Sequence, residues 1–375
     1  MSPRTLLIVT NDFPPRQGGI QSFVHELARR LPGDRLAVYT SNYPGAAAFD
    51  AEQDFPVRRH PGGLLVPTPA ARRQVLQARA DFGSTAVWFG ASAPLGLLAQ
   101  PLRQAGVRRL VASTHGHEAG WAMLPVGRQA LRQIGNQVDV VTYLAEYTRR
   151  QLAGAFGPRA TLVQLTPGVD LDTFSPAVSG AAVRQRHGLA DRPVVVCVSR
   201  LVPRKGQDVL IQAMPAILAR VPQAVLLIVG GGRYEQRLRD LARQVGVVEQ
   251  VVFTGPVSPA ELPAHFAAGN VFAMPCRTRR LGMDVEGLGI VFLEASAAGL
   301  PVVAGNSGGA PEAVRQGITG EVVDGRDVAA VAGQVSGLLA DPQRAAAMGA
   351  AGRRWTDECW RWDTMADRLA GLLEL

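Results

Sequence analysis

Lys205 is the only lysine in the chain; the other 38 of its 39 basic side chains are arginines. It stands in "SRLVPRKGQD" (199–208), five residues after Arg200 and directly before Gly206. An apolar run precedes this stretch, and helical spacing opens at Gln207 or Asp208 and continues to about Ala219. Two cations and a helix N-terminus therefore meet at one strand end. Free N–H groups, a partial positive charge and an ammonium suit a diphosphate. An ammonium is a compact point charge, whereas a guanidinium is a broad planar fork. Where two phosphates crowd beneath a backbone turn, the compact cation fits; the competing reading is a lysine left by chance on a solvated loop.

A second constellation lies in "MDVEGLGIVFLEASAAG" (283–299), where Glu286 and Glu294 are eight residues apart with Gly287 and Gly289 between them. The spacing predicts a helix from Leu288 or Gly289. The amides of Gly289 and Ile290 would face an anion, Glu294 would reach a pair of vicinal hydroxyls such as a ribose carries, and Glu286 would accept from sugar hydroxyls. Two surface carboxylates on a capped helix are the alternative, which the apolar neighbours Phe292, Leu293 and Ala295 weaken. Gly18 and Gly19 follow the first apolar run and allow close approach of backbone to a ligand. They do not fit the G-x-G-x-x-G dinucleotide pattern. "VGGGRYE" and "NSGGAPE" are further glycine-rich strand ends, each of which marks a turn as readily as a site. His115 and His117, in "STHGHE", are spaced for a metal pair but lack a third ligand at convincing spacing, so no metal is expected. "DLD" (170–172) reads as a turn.

These residues need strands and helices to hold them. "TLLIVT", "DRLAVYTS", "TAVWFG", "RRLVASTHGHE", "VDVVTYLA" and "ATLVQLTPGVD" are strand candidates in the first half. "RPVVVCVSRL", "AVLLIVGGG", "QVVFTGPV", "NVFAMPC", "LPVVAGNS" and "TGEVVD" repeat the rhythm in the second. Near-continuous apolar runs alternating with helical patterns predict parallel sheets, hence two doubly wound α/β domains. The expected boundaries are 1–170 and 171–356, with "DLDTFSPAVSG" (170–180) as linker. A terminal amphipathic helix (358–373, within 357–375) would complete the first domain through Trp360, Trp362 and Met365.

Composition narrows the function. No run approaches the roughly 20 apolar residues of a membrane span. Cys197, Cys276 and Cys359 form no C-x-x-C pair, so neither a zinc site nor a disulfide framework is implied. A cytoplasmic setting follows. Residues 1–170 carry 18 basic and 11 acidic side chains, and residues 171–375 carry 21 and 20. The excess in the first half suggests a polyanionic partner. Nucleic acid is not favoured, since no aromatic-basic repeat or binding motif accompanies the charge. An oxidoreductase would want the dinucleotide fingerprint that is missing after "TLLIVT".

Together, "VTNDFPPRQGGIQSF", "STHGHEAGW", "SRLVPRKGQ", "DVEGLGIVFLEA" and "GNSGGAPEAV" resemble the retaining glycosyltransferases of family four, over essentially the whole chain. Within that family they are most similar to actinobacterial GDP-mannose-dependent enzymes that extend phosphatidylinositol mannosides with an α-1,6-linked mannose. The resemblance implies a GT-B fold, two Rossmann-like domains facing across a cleft. It also implies roles: Arg200 and Lys205 on the donor diphosphate, Glu294 on the ribose, and Glu286 with Gly287, Leu288, Gly289 and Ile290 on the donor sugar. Gly18 and Gly19 would sit against the diphosphate, His115 by the reacting centre, and backbone at Gly255 and Val257 by the guanine. The pattern departs from the family's glycine run at Arg279, Arg280 and Leu281. The family needs no bound metal or other cofactor, and the reaction is explained by front-face attack without a carboxylate nucleophile. A family-four enzyme with another nucleotide sugar or a soluble acceptor, and a nucleotide-sugar epimerase, are the alternatives. A lipid acceptor implies a peripheral protein on the inner face of the plasma membrane. The basic helix "AARRQVLQARAD" (70–81) would then meet anionic lipid through Arg72, Arg73 and Arg79, with Val75 and Leu76 adding apolar contact.

Overall fold

The computed structural model of the chain describes residues 5–375, the Leu281 side chain excepted. It divides into two units: the first runs to Gly168 and takes in Trp362–Leu375, and the second is Val169–Arg361. In the first unit the apolar runs become β1 (Leu6–Thr10), β2 (Leu36–Thr40), β4 (Ala86–Phe89), β5 (Arg109–Ser113), β6 (Val140–Tyr143) and β7 (Thr161–Gln164). A further strand, β3 (Val57–Arg59), has the sequence "VRR". All pairings are parallel, in the order β3-β2-β1-β4-β5-β6-β7. β1, β2 and β4 are buried throughout, as strands covered on both faces must be. Strand order reverses between β1 and β4, so the crevice of this sheet opens beyond their carboxyl ends.

The C-terminal helix, Trp362–Leu373, packs on the helix Gly19–Ala28 of the first unit. Trp362 lies 6.3 Å from Phe23 between ring centroids, Thr166 Oγ1 approaches Met365 Sδ at 3.3 Å, and Leu369 and Leu373 are fully buried. The sequence expectation of one helix over 358–373 is corrected at its start. Glu358 and Cys359 end the preceding helix, Pro342–Cys359, and Trp360 and Arg361 are non-helical. Trp360 belongs to the second unit: its ring meets Trp355 edge-on at 5.4 Å, and its carbonyl accepts from Val169 N at 2.7 Å. That bridge draws the backbone out of helical geometry.

In the second unit all six apolar runs form strands: β8 (Val194–Val198), β9 (Val225–Val229), β10 (Val251–Gly255), β11 (Val271–Met274), β12 (Val302–Gly305) and β13 (Gly320–Val323). They are parallel, in the order β10-β9-β8-β11-β12-β13. The segment 170–180 folds onto this unit: Leu171 and Phe174 are buried, and Arg353 donates to both their carbonyls at 2.9 and 2.6 Å. "DLD" is a turn, with Asp170 Oδ1 accepting from the amides of Asp172 and Thr173.

The reversal in this sheet lies between β8 and β11. Gly206 brings the two strand ends together: it caps the helix Gln207–Arg220 in the left-handed region (φ 80°), and a Cβ there would lie 2.0 Å from the Pro275 carbonyl oxygen. Only glycine permits both the dihedral and the approach. Gly206→Ala is therefore expected to destabilise the second unit by more than about 2 kcal/mol, read by urea denaturation, while a Gly188→Ala control, with open space at its Cβ, shifts the midpoint less.

Candidate active site

The loop after β8 and the loop after β11 meet in one buried ion-pair cluster. Lys205 Nζ lies 2.6 Å from Glu286 Oε2, and Arg204 Nη1 lies 2.8 Å from the same oxygen. Arg204 Nε also pairs with Asp284 Oδ1 at 3.2 Å. Lys205 and Glu286 are 8% and 7% exposed, so each is a buried charge that needs its partner. Burial alone would push the Glu286 carboxyl up; the Lys205 ammonium and then the Arg204 guanidinium overcome it and hold the group below the usual carboxylate range. Because one guanidinium already occupies Oε2, the second donor has to be compact, which is a physical reason for lysine at 205. Removing one partner of such a pair costs about 3–5 kcal/mol.

Arg204 is a residue that sequence reasoning missed. Its partners lie about 80 positions away, and only its adjacency to Lys205 hinted at it. A second missed set stands beside it: Arg277 Nη2 donates to Asp208 Oδ2 at 2.6 Å, and the Tyr234 hydroxyl donates to the same oxygen at 3.1 Å. This set ties the start of the helix after Gly206 to the loops after β9 and β11. Arg200, by contrast, is exposed and holds no ion pair among the described residues, so its guanidinium is free to meet a ligand.

The helix expected from Leu288 or Gly289 runs over Ile290–Ala297, with Gly289 as a left-handed N-cap (φ 83°). Gly287 has open space where a Cβ would be, and Leu288 is buried. Glu294 lies in the second turn. Its Oε2 is buried with no hydrogen-bond partner, and burial pushes its pKa up to about 7. A carboxylate oxygen left unpaired beside a helix N-terminus is a ready acceptor for a hydroxyl pair. At the end of β10, the Gly255 carbonyl already accepts from Gly230 N at 3.0 Å and Thr254 Oγ1 at 2.7 Å. That carbonyl is committed, so base recognition there would fall to the backbone around Val257.

The loop 277–284 is fastened rather than glycine-like. Arg279 and Asp284 exchange backbone hydrogen bonds at 2.9 and 3.2 Å, and Arg280 takes a positive φ of 50°. The Leu281 side chain lies outside the described residues.

In the first unit, β1 leads to Gly18 and Gly19. A Cβ at Gly18 would meet Gln21 Oε1 at 2.2 Å, and Gln21 Nε2 donates to Asp12 Oδ1 at 2.7 Å, whereas Gly19 faces open space. His115 follows β5. Its Nε2–H donates to the Gly90 carbonyl at 2.6 Å, at the end of β4, which leaves Nδ1 with the lone pair. Burial lowers its pKa, so the ring is neutral near pH 7. The fully buried Glu118 holds the turn: its Oε2 accepts from the amides of His115 and Gly116 at 3.0 and 3.1 Å, and its Oε1 from Ser92 Oγ at 3.1 Å.

The basic helix, observed at Pro69–Asp81, corrects part of the membrane expectation. Val75 is fully buried in the core of the unit and Leu76 packs against that core, because the apolar stripe faces the sheet. Arg79 is half-buried and donates to the Ser84 carbonyl at 2.9 Å, closing the helix end. Arg72 and Arg73 are exposed.

With this geometry in hand, likeness to known proteins becomes informative. Residues 17–173 match the profile of Glycosyltransferase Family 4, and residues 181–355 match that of Glycosyl transferases group 1. A GDP-mannose-dependent α-(1-6)-phosphatidylinositol monomannoside mannosyltransferase of Mycolicibacterium smegmatis is 56% identical, over 98% of each chain. The chain belongs to glycosyltransferase family 4. Its counterpart in Corynebacterium glutamicum, described as acting on the monoacylated acceptor, is 48% identical over 99% of this chain and 98% of its own. Among solved structures, Anabaena HepE in complex with UDP superposes with a TM-score of 0.83 at 22% identity, covering 99% of both chains. The fold is that of GT-B glycosyltransferases, with two Rossmann-like units.

Glu294 supplies a test of the site's electrostatics in this family-four chain. Its carboxyl titrates near 7 in the folded protein against 4.5 ordinarily. Between those values the folded state holds a proton that the unfolded state has lost, so stability falls as pH rises through the window. Glu294→Gln is expected to raise Tm by several degrees at pH 8, with the gain shrinking towards pH 5. An equal or negative shift at pH 8 in thermal melts would contradict the burial of that oxygen.

Proposed function

We propose that this family-four glycosyltransferase transfers mannose from GDP-mannose to phosphatidylinositol monomannoside, forming an α-(1→6) link with retention. The observation that carries the reading is 56% identity along 98% of the chain to the mycolicibacterial enzyme of that activity. It is supported by a buried lysine–glutamate pair at the strand-order reversal of the second sheet, where α/β ligands bind.

The residues take the following parts. Lys205 and Arg200 meet the donor diphosphate, with Glu286, itself fixed by Arg204, holding the ammonium in place. Glu294 accepts from the ribose hydroxyls. Glu286, through its other oxygen, and the backbone from Gly287 to Ile290 meet the mannose hydroxyls. Gly18, Gly19 and His115 serve the reaction from the first unit, the neutral imidazole presenting its Nδ1 lone pair as an acceptor. The bond from the sugar's anomeric carbon to the β-phosphate oxygen breaks, and its electron pair leaves with GDP. The acceptor hydroxyl oxygen bonds to that carbon from the same face, and its proton passes to the departing phosphate oxygen. Catalysis then rests on positioning and on preorganised charge at the leaving group.

Purified chain supplied with GDP-mannose and phosphatidylinositol monomannoside is expected to yield the dimannoside, with the new bond sensitive to α-(1→6)-specific mannosidase; failure to label that lipid while another nucleotide sugar or acceptor is used would overturn the reading. Lys205→Arg should lower kcat by about 100-fold or more, the size of loss seen when one preorganised charge is displaced, with a smaller change in acceptor KM. Turnover should persist in excess chelator, because fixed cations and helix ends supply the charge at the diphosphate; loss of turnover restored by a divalent ion would contradict this.

A further inference from the structure

Among the described residues, nine large apolar side chains are prominently exposed, and six of them are in the first unit: Tyr43, Leu64, Val66, Met123, Leu124 and Val126. Their distribution is not random. Tyr43 follows β2, Leu64 and Val66 follow β3, and the Met123–Val126 corner follows β5 after the short helix Glu118–Met123. Every one of them leaves the carboxyl edge of the sheet. The corner at 123–126 is the most exposed, with Leu124 at 64% and Val126 at 80%. Helix packing cannot explain this, because the helix that follows, Pro125–Gly135, buries Leu131 and Ile134 on its other side.

Charge follows the same pattern. Residues 60–80 contain three arginines and no acid, and residues 119–138 contain Arg128 and Arg132 and no acid. Arg72, Arg73, Arg128 and Arg132 are all exposed. Each apolar corner is thus followed directly by a basic helix: Pro125–Gly135 carries no acid, and the only acid of Pro69–Asp81 is its last residue, Asp81, which is paired with Arg58 at 2.7 Å. In the strand order, β2, β1 and β4 lie between β3 and β5, so the two strands that lead to these corners flank the strand-order reversal, about 19 Å apart at four strand spacings. The 61–68 loop is fixed there: Asn11, just past β1, exchanges two 2.7 Å hydrogen bonds with the backbone of Leu65.

We propose that this edge of the first unit is a docking surface for an anionic phospholipid bilayer, with Met123, Leu124 and Val126 entering the apolar boundary and the neighbouring arginines meeting lipid phosphates. Apolar side chains beside a net excess of positive charge fit an anionic leaflet and not a neutral protein face. The inference rests on the lipid-acceptor reading above and adds where the chain meets the lipid: the headgroup would reach the β1 and β4 ends while the corners on either side hold the surface. It also moves the apolar contact away from the helix Pro69–Asp81, whose apolar stripe is in the core.

Co-sedimentation of the full chain with vesicles of phosphatidylinositol and phosphatidylcholine tests it, with transfer to a short-acyl, micelle-free acceptor assayed in parallel. The combined variant Met123→Ser, Leu124→Ser, Val126→Ser is expected to lower the partition coefficient at least about tenfold, with Tm and turnover on the short-acyl acceptor unchanged. Arg128→Glu with Arg132→Glu should remove the salt-sensitive part of binding. Unchanged partitioning of the apolar variant would overturn the proposal, as would wild-type binding no stronger to anionic than to neutral vesicles, or a self-association in lipid-free solution that the variant abolishes. Leu124→Ser alone, at a 64% exposed site, gives the same reading should the combined variant fold poorly. Absence of transfer to the short-acyl acceptor by wild type would instead strike the activity reading, leaving the vesicle result to decide the docking surface.

Discussion

A single carboxylate oxygen organises the second unit. Glu286 Oε2 receives an ammonium from the loop after β8 and a guanidinium from the same loop, and Glu286 itself comes from the loop after β11. Neither charge could be buried without the other, since an isolated ion in this setting carries a penalty of several kcal/mol. The pair therefore locks two strand ends at the point where a doubly wound sheet opens to ligand. Gly206 makes the approach possible by removing a side chain that would strike Pro275. The site is thus built by the same constraints that close the sheet, and its cation is fixed in place by the fold.

Around this fixed centre the structure leaves several side-chain groups uncommitted, Gln207 Oε1 and Asp208 Oδ1 among them. Arg200 is exposed and Glu294 Oε2 is buried without a partner. An uncompensated buried oxygen costs stability, and proteins retain such groups where a ligand completes them. The first unit shows the complementary arrangement: a neutral imidazole with its tautomer set by the Gly90 carbonyl, and a glycine with open space before it. The buried lysine–glutamate pair belongs to the second unit, and the neutral imidazole and the open glycine to the first.

The strands were legible in the sequence wherever a parallel strand is covered on both faces, because such strands are written as apolar runs; all six of the second unit were read. β3 was not, since an edge strand can be "VRR" and still pair. Lys205, Glu286 and Glu294 were legible from residue type and spacing at strand ends. Arg204, Arg277 and Asp208 were not, because their partners are distant in sequence and only the folded loops bring them together. Val75 and Arg79 were read as surface features, but an amphipathic helix does not announce which face its neighbours claim, and a terminal arginine turns inward when a carbonyl is in reach. The break at Trp360 depends on its bridge to Val169, some 190 positions away in the chain, and carries no local signal.

The solitary lysine also makes the central claim directly measurable. In protein labelled with nitrogen-15 at the lysine side chain, one ammonium signal alone arises from the side chains, that of Lys205. Titration with GDP is expected to shift this signal with the stoichiometry of one site and to couple it to the phosphorus resonance of the β-phosphate. A signal unmoved at saturating GDP would show that the diphosphate does not rest on Lys205, and would contradict the account at its foundation.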